Sequence, residues 1–151
     1  DPKVRFLLVG DGPLRSQIES KAAHLGLSKQ FIFAGVRKDI SRIMLGAMDL
    51  FLFPSLCEGL GLAMIEAQAA GLPCVYSDRI AKEADVVEPL LKRVPLSAPP
   101  REWAEHILKA GKIKKVITPE QAVSKVEMSG FNIKTGLKSL EELYASSRSC
   151  S

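Results

Sequence analysis

Two carboxylates, Glu58 and Glu66, stand with seven residues between them in the stretch Pro54–Tyr76, PSLCEGLGLAMIEAQAAGLPCVY. Carboxylates accept hydrogen bonds from the hydroxyls of a ligand. Gly59 and Gly61 lie between them, where the backbone must turn sharply or let a ligand approach closely. A helix is expected to open at Leu62, leaving Glu58 in the preceding loop and Glu66 about a turn in. The first amides of such a helix are unpaired donors at the positive end of its dipole, a natural seat for phosphate. The stretch therefore suits a ligand with hydroxyls at one end and phosphates in its middle. Glu66 has a plainer reading as an acid that the dipole favours near a helix start. Against it, Leu62, Glu66 and Ala70 fall on one line beside apolar Ile65 and Ala69, which predicts a half-buried carboxylate in need of a partner. Glu58 alone reads as a solvated loop acid, and its case rests on its spacing from Glu66.

The elements that must position these groups alternate strand and helix. Val4–Val9 (VRFLLV) reads as a buried strand broken by GDGP at Gly10–Pro13, with Pro13 suited to a first helical turn. A helix is expected from about Leu14 to Leu25, with Leu14, Ile18, Ala22 and Leu25 inward and Gly26 as its stop. Phe31–Ala34 is a second strand ending at Gly35, and Asp39 caps a helix through Met48. Leu50–Phe53 (LFLF) reads as a fully buried third strand, Pro73–Tyr76 as a fourth after Gly71, and Arg93–Leu96 as a fifth. Arg79, Lys82 and Glu83 read as a surface helix face. A helix follows over Pro100–Lys109, then one behind the capping box Thr118-Pro-Glu-Gln121, running to about Val126. A last helix starts at Asn132, with Ile133, Leu137, Leu140, Leu143 and Tyr144 as its apolar face. Short apolar strands separated by helices predict one α/β domain, a Rossmann-like parallel sheet with helices on both faces. In such sheets ligands bind beyond the carboxyl ends of the strands, where the loops at Gly10, Gly35 and Pro54 gather.

Composition narrows the classes. With 151 residues, 46% apolar and 25% charged, the chain reads as an ordinary soluble globular domain. A formal charge of +4 favours anionic ligands or a negative membrane surface. Nucleic acid is not expected, because no basic run is interleaved with aromatics. No segment approaches the roughly 18 unbroken apolar residues of a membrane span, and no leader-like segment opens the chain, so a cytoplasmic location is expected. Cys57, Cys74 and Cys150 fit no metal spacing, and His24 and His106 lack a nucleophile or a second ligand beside them. Zinc and triad chemistry are therefore set aside. GDGP lacks the three-glycine fingerprint of dinucleotide enzymes.

Taken in order, VGDGPLR, FIFAGVRKDI and FPSLCEGLGLAMIEAQAAGLPCV resemble the C-terminal, donor-binding domain of family-4 (group 1) retaining glycosyltransferases, which have the two-domain GT-B fold. The stretch DRIAKEADVVEPLLKRVPLSAPPREWAEHIL resembles the bacterial subset that builds capsular and exopolysaccharides, and the likeness runs from Val4 to about Tyr144. The resemblance implies a nucleoside-diphosphate sugar as donor, no cofactor, no bound metal and no firmly established protein nucleophile. It assigns Glu58, the catalytic candidate, to the donor sugar's hydroxyls and Glu66 to the ribose. Gly61 and Leu62 are assigned to the diphosphate, and Gly35, Val36 and Arg37 to the nucleobase. Gly12 and Pro13 are given a lesser contact in the same cleft.

One departure stands out. The family's domain begins with a further strand and helix, carrying an Arg and a Lys for the diphosphate, which would pair between Val4–Val9 and Leu50–Phe53. Residues 1–146 are therefore expected to be a fragment of a larger enzyme, or to have another chain in that slot, with 147–151 as a disordered tail. The acceptor-binding N-terminal domain is the implied partner, the fragment alone is expected to be inactive, and the full-length enzyme can associate peripherally with the membrane. Two other functions fit the same residues: a nucleotide-sugar epimerase of this architecture, and a non-enzymatic binding module.

Overall fold

The computed structural model describes residues 2–112 and 117–148. The chain divides into two compact units, Asp1–Ile40 and Ser41–Ser151.

In the first unit, β1 (Phe6–Val9) pairs in parallel with β2 (Phe31–Gly35), joined by α1 (Arg15–His24). Phe6 and Phe31, partners in register, stack at 4.9 Å between ring centroids. Pro13 sits in the turn ahead of α1 rather than in its first turn, because the helix opens only at Arg15. At its far end Gly26 takes φ +70° and its N–H reaches Ala23 O, while the Leu27 N–H reaches Ala22 O. That pair of bonds is the left-handed stop expected of a glycine there. The expected inward face of α1 is only partly realised. Ala22 is buried, but Leu14 and Leu25 are more than half exposed, since a two-stranded sheet offers little surface to cover them.

In the second unit, β3 (Phe51–Phe53), β4 (Cys74–Ser77) and β5 (Leu91–Val94) form a three-stranded parallel sheet with β4 in the middle. All four residues of β4 are buried, as suits a parallel strand flanked on both sides. Its connection from β3 is α3 (Leu62–Ala69), and α2 (Ile40–Ala47) precedes β3. Leu52 and Val75, partners in register, point into one cluster with Val94, Trp103, Ile107 and Ala110 of α4 (Pro100–Ala110). Phe53 points the other way, toward the start of α3, so α3 and α4 cover opposite faces. The expected capping box opens α5 (Pro119–Glu127): Gln121 N–H donates to Thr118 Oγ1 at 3.3 Å, and Thr118 N–H to Gln121 Oε1 at 3.0 Å. Gly71, at φ +73°, ends α3 with the same pair of bonds seen at Gly26.

Four expectations need correction. β3 is half-buried rather than fully buried, because β4 is its only neighbour among the described residues. β5 lies two residues earlier than expected, since Pro95 has no N–H to extend the ladder. Lys82 and Glu83 are exposed as expected, but on a single 3-10 turn over Lys82–Ala84 rather than a helix. The last helix, α6 (Ile133–Arg148), carries its expected apolar face outward, with Ile133, Leu137 and Leu140 each half exposed or more. It also runs through 147 and 148, expected as tail; the rest of that tail lies outside the described residues.

Candidate functional site

The second unit builds its part of the site on the loop from β3 to α3. The last residue of β4, Ser77, is fully buried, and its Oγ donates to the carbonyl of Ser55 at 2.6 Å. That bond holds the loop just after Pro54. The Ser55 hydroxyl has two acceptors in reach, Glu58 Oε1 at 2.9 Å and Cys57 O at 3.2 Å. One proton cannot serve both well, and the shorter bond to a charged oxygen is the stronger. Glu58 is therefore a half-buried carboxylate held through one oxygen. No described residue donates to its other oxygen, and no described Lys or Arg pairs with it.

Gly61 is the residue on which the turn depends. It is buried at φ +66°, ψ 49°, in the left-handed region that L side chains rarely adopt. Phe53 and Ile80 flank it, within 3.5 and 3.8 Å of where a Cβ would stand. From this turn α3 opens with no side-chain cap and no acid in its first turn. Its leading amides, Leu62 among them, are thus left as donors for an anion. Glu66 follows one turn later on the line of Leu62, as the spacing requires. It is exposed rather than half-buried, and no described residue hydrogen-bonds or pairs with its carboxylate. The buried side of α3 faces elsewhere. Met64, Ile65, Ala67 and Gln68 take the interior, which turns Leu62 and Glu66 out to solvent.

In the first unit, the loops after β1 and β2 meet. The Gly10 N–H donates to Gly35 O at 2.8 Å, and Arg15 reaches both the Asp11 carboxylate, at 3.8 Å, and the neighbourhood of Gly35. Gly12 and Pro13 therefore lie in a loop tied to the one carrying Gly35, Val36 and Arg37. Val36 is 78% exposed, with its surface open to a ligand. The Arg37 side chain is already engaged: Nε and a terminal nitrogen bond both oxygens of Asp39, at 2.9 and 2.8 Å. This fork holds the Asp39 carboxyl below its ordinary range and raises Arg37. The Arg37 guanidinium is thus committed to Asp39 in this structure.

Several supporting residues gave no sequence signal. Gln68 is fully buried and donates to Met64 O and Ala84 O while its oxygen accepts from Val86 N–H and Val87 N–H. Asp85 accepts from the Tyr76 hydroxyl at 2.7 Å and from Arg93 at 2.8 Å, and Arg93 also donates to Ile80 O. Burial and the Asp85 bond push the Tyr76 hydroxyl up, and burial pushes the Cys74 thiol up to about 12. These ties fix the segment that places Ile80 beside Gly61. Among the described residues no group of acids, cysteines and histidines could hold a metal, and no helix is long and apolar enough to cross a membrane.

Among solved structures, the fold is similar to WaaG, a glycosyltransferase involved in lipopolysaccharide biosynthesis. The TM-score is 0.71, at 23% identity over 85% of this chain and 35% of that one. It is similar also to Anabaena HepE in complex with UDP and glucose, with TM-score 0.73 and 23% identity over 96% of this chain and 41% of that one. The parallel sheets flanked by helices are those of an α/β fold that matches GT-B structures. The sequence pattern of the glycosyl transferases group 1 matches residues 1–112, and the chain belongs to that family. It is 43% identical over 109 residues to EpsF of Bacillus subtilis (strain 168), a protein with the name of a glycosyltransferase; this is 71% of the chain and 28% of EpsF. An Escherichia coli UDP-Gal:α-D-GlcNAc-diphosphoundecaprenol α-1,3-galactosyltransferase is 42% identical over 78 residues, 51% of the chain and 20% of that enzyme. The chain thus matches less than a third of the length of either relative.

Proposed function

We propose that this chain is the donor-binding part of a longer retaining glycosyltransferase, one that moves a sugar from a nucleoside diphosphate to a polysaccharide or lipid-linked acceptor in bacterial surface-polysaccharide assembly. The observation that carries the reading is the order of groups on one turn. A held carboxylate, Glu58, is followed by the left-handed Gly61, an uncapped helix start, and an exposed second acid, Glu66. That order matches a sugar, a diphosphate and a ribose in sequence. In this reading Glu58 accepts from the donor sugar's hydroxyls, the amides from Gly61 onward receive the diphosphate, and Glu66 accepts from the ribose. The Gly35–Arg37 loop serves the base, with Gly12 and Pro13 in a lesser contact.

The helix start also supplies the chemistry this chain can contribute. Charge grows on the diphosphate as the glycosidic bond breaks, and fixed backbone donors stabilise it without reorganising. The departing phosphate then assists deprotonation of the acceptor, so the reading requires neither a protein nucleophile nor a metal. The acceptor is held by a further N-terminal domain of the intact enzyme. The name of the Escherichia coli relative, with its diphosphoundecaprenol-linked sugar, supports a lipid-linked acceptor. β3 keeps one edge without a described strand partner, which suits the additional strand the family resemblance implies.

The test is transfer by the intact enzyme against a panel of nucleotide sugars, together with calorimetry of UDP, GDP and ADP. Product with retained anomeric configuration, and binding that Glu66→Ala weakens, is the expected result. Failure of every nucleoside diphosphate to bind overturns the reading in favour of a partner-binding module. Conversion of the donor sugar to its epimer without transfer overturns it in favour of an epimerase.

A further inference from the structure

We propose that Ser55 is a positioning residue for Glu58, and that Ser77 anchors it, so that the carboxylate meets its ligand already oriented. The proposal rests on the assignment of Glu58 to the donor sugar. Two bonds carry it. Ser77, with no exposed surface at the carboxyl end of the central strand, fixes the Ser55 carbonyl at 2.6 Å. The Ser55 hydroxyl then donates to Glu58 Oε1 at 2.9 Å. The Ser55 carbonyl and hydroxyl are thereby used in opposite directions, one toward the core and one toward the acid. The result is a short relay from a buried strand to a loop carboxylate that has neither a cation nor another donor beside it among the described residues.

The consequence is specific. A glutamate on a loop samples several rotamers, and ordering it upon binding lowers affinity. Held through Oε1, Glu58 presents Oε2 alone to the ligand, in one orientation. A group so fixed discriminates among hydroxyl arrangements on the sugar, because a hydroxyl of the wrong configuration leaves a desolvated acceptor unpaired. Ser55 itself need not touch the ligand. Its effect should therefore fall on the sugar and leave the nucleotide's own affinity unchanged.

The experiment compares UDP with UDP-glucose, and GDP and ADP with their glucose conjugates, by calorimetry on the intact enzyme. The quantity read is the affinity increment contributed by the sugar. Ser55→Ala should reduce that increment about tenfold while leaving the bare nucleotide within twofold. Ser55→Thr, which keeps the hydroxyl, should restore most of it. Thermal melts of both variants separate positioning from unfolding: a general loss of fold would weaken nucleotide and conjugate alike. If Glu58→Gln removes the sugar increment but Ser55→Ala leaves it intact, Ser55 has no positioning role although Glu58 keeps its assignment. If Glu58→Gln leaves the increment intact as well, the assignment of Glu58 and this proposal fall together. Equal loss in Ser55→Ala and Ser55→Thr also overturns the proposal, since it makes the site's shape, rather than its hydroxyl, the cause.

Discussion

Substitution of Gly61 tests the centre of the site. The residue holds φ +66° in a buried turn, so any side chain there must adopt a left-handed backbone. An alanine Cβ would meet Phe53 at 3.5 Å and Ile80 at 3.8 Å, both ordinary contacts, so crowding adds little. The cost is backbone strain, about 1–2 kcal/mol. For a chain of this size that corresponds to a melting temperature lower by about 2–8 °C. Valine is a sharper probe, because a β-branched residue in this region is a genuine outlier and the turn must relax. Relaxation swings the Gly61 and Leu62 amides away from any phosphate. Losing one charge-assisted bond of about 1.5–3 kcal/mol should weaken nucleoside diphosphate binding by roughly 10- to 100-fold. Gly71→Ala is the control. It meets the same strain, at φ +73°, at the opposite end of α3, where a Cβ would stand 3.5 Å from Pro119 Cα. It should lower the melting temperature and leave affinity unchanged. Calorimetry of the intact enzyme, below the melting range of all three variants, decides. If Gly61→Val binds the nucleotide as tightly as the wild type, the start of α3 is not the phosphate seat.

Other outcomes follow from the same geometry. Glu66→Gln should weaken nucleotide binding by about tenfold with no change in urea midpoint, because the side chain is exposed and no described residue depends on it. Gln68→Leu should behave in the opposite way. It strands Val87 N–H in the interior and leaves Val86 N–H and Ala84 O only their mutual bond of 3.2 Å, with a stability loss of about 1–3 kcal/mol in urea titration, the cost of one such group. Thiol labelling followed by peptide mapping should modify exposed Cys57 and spare Cys74 in the native state. Cys74 titrates near 12 when folded, against 9.0 unperturbed, so its raised pKa favours the folded state below about pH 9. Above that pH the unfolded thiol ionises first, and this contribution should fall progressively toward pH 12. A Cys74→Ala variant should show a shallower alkaline loss of stability than the wild type. A chelator such as EDTA should leave transfer by the intact enzyme unchanged; metal-dependent activity would contradict the proposed mechanism.

The order of elements was legible because the signals for it are local. The apolar run FLLV ends at Gly10 and FLF at Pro54, and Gly26 and Gly71 end helices where their lack of a Cβ makes the left-handed stop cheap. The Thr118–Gln121 box was equally readable, since both of its bonds lie within four residues. Burial was less legible, because it depends on neighbours that local pattern does not specify. LFLF has the composition of an interior strand, yet β3 has one strand partner among the described residues and stays half-exposed. The apolar faces of α1 and α6 show the same limit, as 3.6-residue periodicity states which residues share a face but not whether anything covers it. Glu66 shows it in reverse. Its flanking alanines suggested partial burial, but Gln68 occupies the interior of α3 and turns Glu66 outward.

The candidate acids differ in a way their spacing could not reveal. Glu58 is held by Ser55, whose carbonyl is fixed from Ser77, 22 residues further along the chain. Glu66 stands on a helix backbone with its carboxylate free of described partners. In the proposed site the held acid serves the sugar, whose hydroxyl configuration distinguishes one donor from another and whose anomeric bond breaks. The exposed, unheld acid serves the ribose, which is common to every ribonucleoside diphosphate and asks for affinity rather than discrimination. Rigidity is therefore concentrated where selectivity is required, and the tie that supplies it runs to the most buried strand of the sheet. Substitutions along Ser77, Ser55 and Glu58 should alter which sugar is used, whereas substitutions at Glu66 should alter how tightly any nucleotide sugar binds. Measuring kcat/KM for glucose and galactose conjugates of one nucleotide separates the two effects: the ratio should move with Ser55→Ala and stay constant with Glu66→Gln. A ratio that moves equally in both variants would mean that the two acids act as a single binding surface, and the division of roles would have to be abandoned.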